Sequence, residues 1–323
     1  MDQINWGIIG CGDVTEVKSG PAFRKVPHSM VVAVMRRDAE KAADYARRHH
    51  ISTWYTDADA LINDPNVNAV YVATPPDSHA DYAIRAMRAG KPVYVEKPMA
   101  LNAAECVDMN QVSRETGMPL FVAFYRRALP YFLRVKQLVD QQVIGDIRAV
   151  NVQLNWPPDD RETVAGKGWR VSPDVSGGGL FHDLASHQFD LLEFLLGSVQ
   201  SAGGIARNQA HLYEADDMVV ATFAFESGVV GTGSWCFTGS KAQRFEQTQL
   251  IGSQGTITFS FFENFIITVN TNGGSETITV PFPKHVQQPL IELIVNELRG
   301  GDKSPSTGET GARASQIIDW ITA

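Results

Sequence analysis

The stretch Gly7-Ile8-Ile9-Gly10-Cys11-Gly12-Asp13-Val14-Thr15 joins a short apolar run to a polar, helix-forming segment near the start of the chain. Gly10 permits a tight turn at this point, and Gly12 lets the backbone approach a bound group closely. The backbone amides of Gly12, Asp13 and Val14 would lie at the start of the helix, where N–H groups stabilise an anion. The stretch therefore predicts a strand, a turn and a helix that together bind the pyrophosphate of a dinucleotide.

Five β-rich runs alternate with helix-length segments in the first part of the chain. The runs are INWGIIG (4–10), MVVAVM (30–35), AVYVAT (69–74), PVYVEK (92–97) and LFVAF (120–124). The helical segments between them include 38–50, 78–89 and 102–116. Nearly continuous apolar strands separated by helices are typical of a parallel sheet covered on both faces. With the phosphate-binding turn after its first strand, this part is predicted to be an α/β Rossmann domain over residues 1–124.

The periodicity changes near Gly145. Residues 147–156 alternate between apolar and polar side chains, which is typical of a half-buried strand. A loop rich in Pro, Asp, Gly and Arg follows (157–178), and then one long helix over 180–196. Further strands are predicted at 218–226, 229–237, 247–251 and 255–260. We predict an α+β domain over residues 125–323, with a large, mostly antiparallel open sheet and a last helix (310–322) that packs back on the first domain.

Composition narrows the class of protein. The chain has 323 residues and a formal net charge of -8, which argues against binding to nucleic acid. No apolar run reaches the roughly 18 residues of a membrane span, and the first residues lack a signal peptide's features. The cysteines Cys11, Cys106 and Cys236 are scattered and lack metal-site spacing, which favours a reducing compartment. We therefore expect a cytoplasmic protein that binds neither nucleic acid nor membrane.

Two arginines follow the second β-rich run, where a dinucleotide-binding domain holds the adenosine ribose. NAD-specific domains usually carry an acidic residue there, whereas this chain has Arg36 and Arg37, followed by Asp38 as the expected N-cap of a helix. A carboxylate would repel a ribose 2′-phosphate, but a guanidinium binds it through two hydrogen bonds. The sequence predicts NADP, with NAD as a possible cofactor. The alternative interpretation is a solvated basic turn.

Polar residues also follow two later parallel strands. Thr74, Pro75 and His79 come after the run at 69–74, and Glu96-Lys97 ends the next run. Because α/β sheets bind ligands at the carboxyl ends of their strands, these positions are functional candidates. Most lysines are simply solvated, so Lys97 is a candidate by its position.

The second domain contains a candidate pair of its own. Asp183 and His187 follow the triple glycine at 177–179 and are four residues apart, so they lie on one face of the predicted helix. The same spacing occurs in metal half-sites and on ordinary polar helix faces. The pair by itself therefore leaves catalysis, metal binding and a structural role open.

Several motifs in one order are more specific than any one of them. GIIGCG, ATPPDSHA, EKP and GGGx₃Dx₃H, with Trp169-Arg170 before the glycines and SPSTGE at 304–309, resemble the glucose–fructose oxidoreductase/inositol dehydrogenase/MocA (Gfo/Idh/MocA) family along essentially the whole chain. The family's fold, a Rossmann domain followed by an open sheet, agrees with the change of period. This chain departs from the pattern at Thr15, where a small residue is usual, and at Ala185, where glycine is common.

The resemblance implies roles for individual residues. Lys97 would face nicotinamide and substrate, before a proline that is often cis, while Asp183 and His187 would line the same cleft from the other domain. His182 is expected to pack or cap rather than to react, and His79 to cap a helix near the cofactor. The catalytic residues would be Lys97, Asp183 and His187. The cofactor-binding residues would be Gly10, Gly12, Asp13, Val14, Arg36, Arg37, Thr74, Pro75, His79, Glu96, Lys97, Trp169 and Arg170.

The expected activity is hydride transfer between nicotinamide and a carbinol or carbonyl carbon of a sugar, polyol or related diol. Lys97 would polarise the oxygen, His187 would act as acid and base, and Asp183 would orient one of them, without a metal. One alternative is a non-catalytic sensor of the same fold. Another is a reductase of a non-sugar substrate, which the apolar residues Trp156, Trp169 and Phe181 would suit. An open sheet also predicts a homodimer or homotetramer formed through the C-terminal domain.

Overall fold

The computed structural model describes residues 1–159 and 168–323, so residues 160–167 of the predicted loop at 157–178 lie outside the described residues. The chain forms two compact units. The first unit comprises Met1–Leu129 and Pro283–Ala312, and the second comprises Pro130–Phe282 and Arg313–Ala323. Residues 283–312, which the sequence analysis assigned to the second domain, thus belong to the first unit.

Strands and helices are numbered along the chain. The strands are β1 (Ile4–Ile9), β2 (Ser29–Met35), β3 (Thr53–Tyr55), β4 (Ala69–Val72), β5 (Val93–Val95), β6 (Leu120–Val122), β7 (Ile147–Asn155), β8 (Val199–Arg207), β9 (Met218–Phe225), β10 (Val230–Cys236), β11 (Phe245–Gly252), β12 (Gly255–Phe259), β13 (Ile266–Thr271) and β14 (Gly274–Thr279). The helices are α1 (Asp13–Val17), α2 (Gly20–Phe23), α3 (Ala39–Arg48), α4 (Ala58–Ile62), α5 (His79–Arg88), α6 (Ala103–Thr116), α7 (Pro130–Asp140), α8 (Pro173–Ser176), α9 (Leu180–Leu196), α10 (Gln288–Leu298) and α11 (Gly308–Thr322).

The first unit is built on a six-stranded parallel sheet. Its strand order is β3-β2-β1-β4-β5-β6, and every neighbouring pair is parallel. Every residue of β4 and β5 is buried, as a sheet covered on both faces requires. The order reverses direction between β1 and β4, and ligands of such sheets bind outside the carboxyl ends of the strands at that point. The predicted Rossmann architecture is confirmed.

The second unit is built on an eight-stranded sheet with the order β14-β13-β12-β11-β7-β10-β9-β8. Only β7 and β10 pair in parallel, and all other neighbours are antiparallel. The long helix α9 lies on one face, where Phe181 contacts Trp235 with ring centroids 5.0 Å apart. Gln188 on the same helix accepts a 2.6 Å hydrogen bond from the Trp235 indole. The predicted, mostly antiparallel sheet with one helix-covered face is confirmed.

The last helix begins slightly earlier than predicted. It spans Gly308–Thr322, and its first residues, up to Ala312, belong to the first unit, whereas the rest belongs to the second. Of the helices in the described parts of the chain, none combines the length and the hydropathy that crossing a bilayer requires.

Candidate active site

The turn between β1 and α1 has the geometry of a phosphate-binding loop. Gly10 has a φ of +90°, and a Cβ there would lie 2.6 Å from Thr74 Cγ2, so both conformation and space require glycine. A Cβ at Gly12, in contrast, would meet no atom within 4 Å. The backbone at Gly12 therefore faces open space, which a pyrophosphate needs for close approach. The predicted residues fit a dinucleotide at this edge of the sheet.

Thr15 packs closely although it replaces the usual small residue. Its side chain is fully buried, and its hydroxyl donates a 2.7 Å hydrogen bond to the Gly12 carbonyl. Its own carbonyl accepts a 3.0 Å bond from the Tyr45 hydroxyl of α3. The threonine side chain thus adds one hydrogen bond to the loop that a glycine could not make.

Arg36 lies against the phosphate loop, directly after β2. Its Nη1 donates a 3.1 Å hydrogen bond to the Cys11 carbonyl, and the side chain is partly buried, whereas Arg37 is exposed. Asp38 caps α3 by accepting a 3.1 Å bond from the Lys41 amide, as predicted. A guanidinium is therefore held beside the loop, where the adenosine ribose of a dinucleotide would bind.

The loop after β4 is tied to the turn after β5 by His79. The His79 ring is fully buried, with Nδ1 2.9 Å from the Pro98 carbonyl oxygen and Nε2 2.7 Å from the Thr74 carbonyl oxygen. Burial lowers its pKa, against the opposing effect of the two carbonyls. His79 is thus the first residue of α5, it caps the short 3-10 helix Pro76–Ser78 before it, and its ring joins two loops. Its predicted contact with the cofactor stays a prediction.

Lys97 lies at the carboxyl end of β5, in a turn whose neighbouring residues are buried. The Lys97–Pro98 peptide bond is cis, as the resemblance implies, and the Lys97 side chain is partly exposed. Glu96, just before it, is buried and accepts hydrogen bonds from Tyr71 and Gln287. Glu96 was predicted to bind cofactor, and its observed partners are the protein's own side chains.

Tyr125 was missed at the sequence level. It follows β6 and is 8% exposed, with the Arg126 guanidinium 5.2 Å from its ring centroid. Burial would raise the pKa of its phenol, but the positive charges of Arg126, Lys18 and Lys97 outweigh burial and lower it. Its position after a parallel strand was the signal that could have identified it.

The second unit holds the predicted acid and histidine on α9. Asp183 is 9% exposed and His187 3% exposed, one helical turn apart. Arg170 Nε lies 3.4 Å from Asp183 Oδ2, and its guanidinium stacks over Trp169. The structure thus brings Trp169, Arg170 and Asp183 together within this unit, while the predicted cofactor contact of Trp169 and Arg170 stays a prediction.

His187 lies beside Phe262, which in turn packs against Trp156 in the second unit. The ring centroids of His187 and Phe262 are 6.3 Å apart, and those of Phe262 and Trp156 are 5.6 Å apart. Arg244 lies over the Trp156 ring and forms an ion pair with Glu263. Phe262 had not been predicted, because its position in a β-rich region gives no sequence signal.

Two further predictions concern the neighbouring residues Phe181 and His182 of α9. Phe181, which the sequence analysis grouped with the apolar residues that would suit a non-sugar substrate, is a core residue of α9 that is 1% exposed. That grouping was wrong, because the helical period turns Phe181 toward Trp235 of the sheet. His182 packs over Gly178, where any Cβ would lie within 2.0 Å of the ring. Burial lowers the pKa of His182 to about 4.

Comparison with known proteins follows the same division of the chain. Residues 4–124 match an oxidoreductase family with an NAD-binding Rossmann fold, and residues 132–258 match the GFO/IDH/MocA C-terminal domain. The chain belongs to the Gfo/Idh/MocA family. It is therefore an NAD(P)-dependent oxidoreductase. Within its described residues, His, Cys, Asp and Glu side chains nowhere form a group of three placed to hold a metal ion.

Relatives and solved structures agree with this family. The chain is 41% identical over 320 residues to Oxidoreductase P35 of Formosa agariphila, covering 98% of each chain. It is 30% identical to dTDP-3,4-didehydro-2,6-dideoxy-alpha-D-glucose 3-reductase of Streptomyces violaceoruber, covering 98% of this chain and 93% of the relative. The fold is similar to that of levoglucosan dehydrogenase in complex with NADH and levoglucosan, with a TM-score of 0.88, 22% identity and coverage of 99% and 96%.

Proposed function

We propose that this family member transfers hydride between NADP(H) and a carbinol or carbonyl carbon of a sugar, polyol or related diol. The observation that carries the proposal is a chain of contacts in the first unit. Gly10 lies against Thr74, the Thr74 carbonyl contacts His79, and His79 contacts Pro98 of the Lys97 turn. The phosphate loop and Lys97 thus belong to one connected edge of the parallel sheet, where a dinucleotide would bind.

The proposed roles divide the chemistry between cofactor and protein. When bound, the nicotinamide supplies or accepts a hydride at C4. Lys97 Nζ donates a hydrogen bond to the reacting oxygen and polarises it. His187 gives or takes the proton at that oxygen, and Asp183, fixed by Arg170, orients or tunes one of them.

The preference for NADP is supported by Arg36. Its guanidinium is already held beside the phosphate loop, and an acidic residue that would repel a 2′-phosphate is absent from the end of β2. The loop residues Gly10, Gly12, Asp13 and Val14 would hold the pyrophosphate, with Thr74 and Pro75 beside them. NAD remains the competing cofactor in the binding test.

A sugar-like substrate is supported by two observations. One is the dTDP-sugar 3-reductase name of a relative that covers 98% of this chain. The other is the aromatic surface of Trp156 and Phe262 beside His187, because binding sites for small molecules combine apolar walls with a few polar groups. A non-sugar substrate such as an aromatic diol would use the same wall, so the screen described next includes both classes.

The test is a spectrophotometric screen of NADPH and NADP against sugars, osones, inositols and diols, followed by single variants. Lys97→Ala and His187→Ala should each cut turnover by at least about 10²-fold, since each removes a positioned proton-handling group. Both alanine variants should leave NADPH affinity within a few-fold. The turnover of Asp183→Asn should lie between that of the alanine variants and that of the parent. Near-full turnover in both alanine variants would refute the site assignment. Tight cofactor binding without turnover of any compound would favour a sensor.

We further propose that a homodimer or homotetramer forms through the sheet of the second unit. Ile205, Val220 and Ser234 lie in one cross-strand row on the face away from α9, and Ile205 is 62% exposed. Exposed apolar side chains on an open sheet are usually covered by another chain. Light scattering should find an oligomer that Val220→Arg shifts toward the monomer, and a monomeric parent protein would contradict this.

The three free thiols support the expected cytoplasmic location.

A further inference from the structure

Glu96 is a buried carboxylate that directly precedes Lys97, with its side chain 6% exposed. The Tyr71 hydroxyl donates to Oε1 over 2.5 Å, and the Gln287 amide donates to the same atom over 2.6 Å. The Lys97 backbone amide donates to Oε2 over 3.3 Å. Because a buried carboxylate is costly without donors, these bonds hold Glu96 in one orientation.

Gln287 is oriented by a partner on each side of its amide. It is fully buried, and its Oε1 accepts a 2.9 Å bond from the Tyr94 hydroxyl. Burial, and then the negative charge of Glu96, raises the pKa of Tyr71 and Tyr94 well above the usual value. Both phenols therefore remain donors. A flipped Gln287 amide would place its oxygen against the carboxylate, so only the observed orientation satisfies both partners.

Pro98, the residue after Lys97, is held in place by His79. The Pro98 carbonyl oxygen lies 2.9 Å from His79 Nδ1, and the opposite ring nitrogen lies 2.7 Å from the Thr74 carbonyl oxygen. Since His79 is fully buried, its ring has little freedom to leave this bridge. Both neighbours of Lys97 are thus fixed, while the Lys97 side chain itself is partly exposed.

From these contacts we infer that Gln287 is a positioning residue for Lys97. It acts through the Glu96 carboxylate and sets the direction in which the Lys97 turn presents its ammonium group. The inference rests on the proposed function, in which Lys97 meets the reacting oxygen. Residues 283–312 would accordingly serve the reaction although they follow the sheet of the second unit in sequence.

The test compares Gln287→Met, which removes both amide groups at similar volume, with a matched control. Asn110→Leu is the control, because Asn110 is also buried in the first unit, and its amide donates a 3.0 Å bond to the Gly308 carbonyl, a contact that leaves Lys97 untouched. Gln287→Met should lower kcat by about 10-fold or more, since small displacements of a reacting group are costly, with NADPH affinity within a few-fold. Asn110→Leu should lower the melting temperature similarly but keep kcat.

A second readout needs neither substrate nor cofactor. Acetic anhydride acetylates lysine amines, and mass spectrometry gives the ratio of the acetylation rate at Lys97 to that at exposed Lys41. This ratio reports the environment of the Lys97 side-chain amine. We expect this ratio to change by about threefold or more in Gln287→Met and to stay constant in Asn110→Leu, because reactivity follows the ionisation and exposure of the amine. An unchanged ratio together with an unchanged kcat in folded Gln287→Met would overturn the inference.

The conservative variant Gln287→Glu adds a pH signature. One protonated carboxyl of the new pair with Glu96 donates to the other, as the amide did, whereas two ionised carboxylates repel each other. Relative to the parent, kcat of this variant should therefore fall as pH rises from about 5 to 9. A ratio that rises with pH would contradict the inference. If Lys97→Ala leaves turnover intact, the proposed function fails, while the labelling ratio still decides the positioning role.

Discussion

At the scale of single residues, Arg36 and Arg37 offer a matched pair for cofactor choice. Arg36 is partly buried and bound to the Cys11 carbonyl, whereas Arg37 is exposed. If Arg36 binds a 2′-phosphate, Arg36→Ala should cost about 1.5–3 kcal/mol of NADPH binding, the scale of a charge-assisted hydrogen bond. This corresponds to roughly 10–150-fold weaker NADPH binding, with little change for NADH. Fluorescence titration of both nucleotides measures it.

Arg37→Ala serves as the control for the loss of one positive charge. Because Arg37 is solvated, its removal should weaken NADPH by only a few-fold through long-range attraction. Tighter binding of NADH than of NADPH by the parent protein would contradict the assignment of NADP. Equal losses in the two variants would place the 2′-phosphate elsewhere.

The individual residues that the sequence could not reveal share one property. Gln287 reaches Glu96 across 191 positions of sequence, and Phe262 reaches His187 across 75. Neither lies in a motif, and a buried glutamine has no periodic signature. Lys97 and Arg36, in contrast, could be predicted because each lies at the carboxyl end of a parallel strand, and strand ends converge at one edge of the sheet.

At the scale of elements, the start of α9 depends on a close contact between His182 and Gly178. Burial lowers the pKa of His182 to about 4, despite a hydrogen bond to the Gly178 backbone that opposes the shift. The unfolded chain, with an ordinary histidine pKa near 6.5, takes up the proton first as pH falls. The free energy of unfolding should therefore decrease between about pH 6.5 and 4, by up to ~3 kcal/mol from this group.

Urea unfolding at pH 7, 6, 5 and 4 tests this contribution. His182→Gln removes the titrating group. The free energy of unfolding of the parent, relative to that of the variant, should therefore decrease as the pH falls. Exposed His211→Gln should follow the parent curve. Identical pH dependence of His182→Gln and the parent would show that α9 does not keep its histidine neutral.

Elements were predicted better than their junctions. The apolar runs and the change of period indicated β1, β4, β5, β7 and α9 at nearly their observed bounds, since burial imposes a regular pattern on these segments. The break of the first helix into α1 and α2 was not predicted. There Gly20 and Pro21 begin a new short helix, and tertiary contacts rather than periodicity decide such breaks.

At the scale of the whole molecule, the first unit is completed by a distant part of the chain. Ser306 Oγ donates a 2.7 Å bond to the Val122 carbonyl of β6, and Arg127 Nη1 donates a 3.1 Å bond to the Pro305 carbonyl. Thr307 also forms a β-bridge with Phe121 of the same strand. The edge strand β6 is thus covered by residues that come after the whole sheet of the second unit.

This arrangement predicts different effects for two truncations. A chain ending at Phe282 retains every residue of 1–129 but loses Gln287, Ser306 and Thr307. Its first unit should bind NADPH weakly, and the backbone amides of β6 should lose their protection from hydrogen exchange. A chain ending at Ala312 keeps those contacts. It loses Arg313, whose Nη2 donates bonds of 2.8 Å to Glu193 and 2.6 Å to the Val199 carbonyl within the second unit.

The chain that ends at Ala312 therefore serves as the control for the chain that ends at Phe282. Ending the chain at Ala312 should destabilise the second unit, because Glu193 loses its ionic partner Arg313, yet leave NADPH affinity within a few-fold. Ending it at Phe282 should weaken NADPH binding by about 10²-fold or more, since binding requires the folded first unit and unfolding competes with it. Full NADPH affinity in the chain that ends at Phe282 would show that residues 1–129 fold without their distant partner. Equal loss in both truncations would instead tie cofactor binding to the second unit.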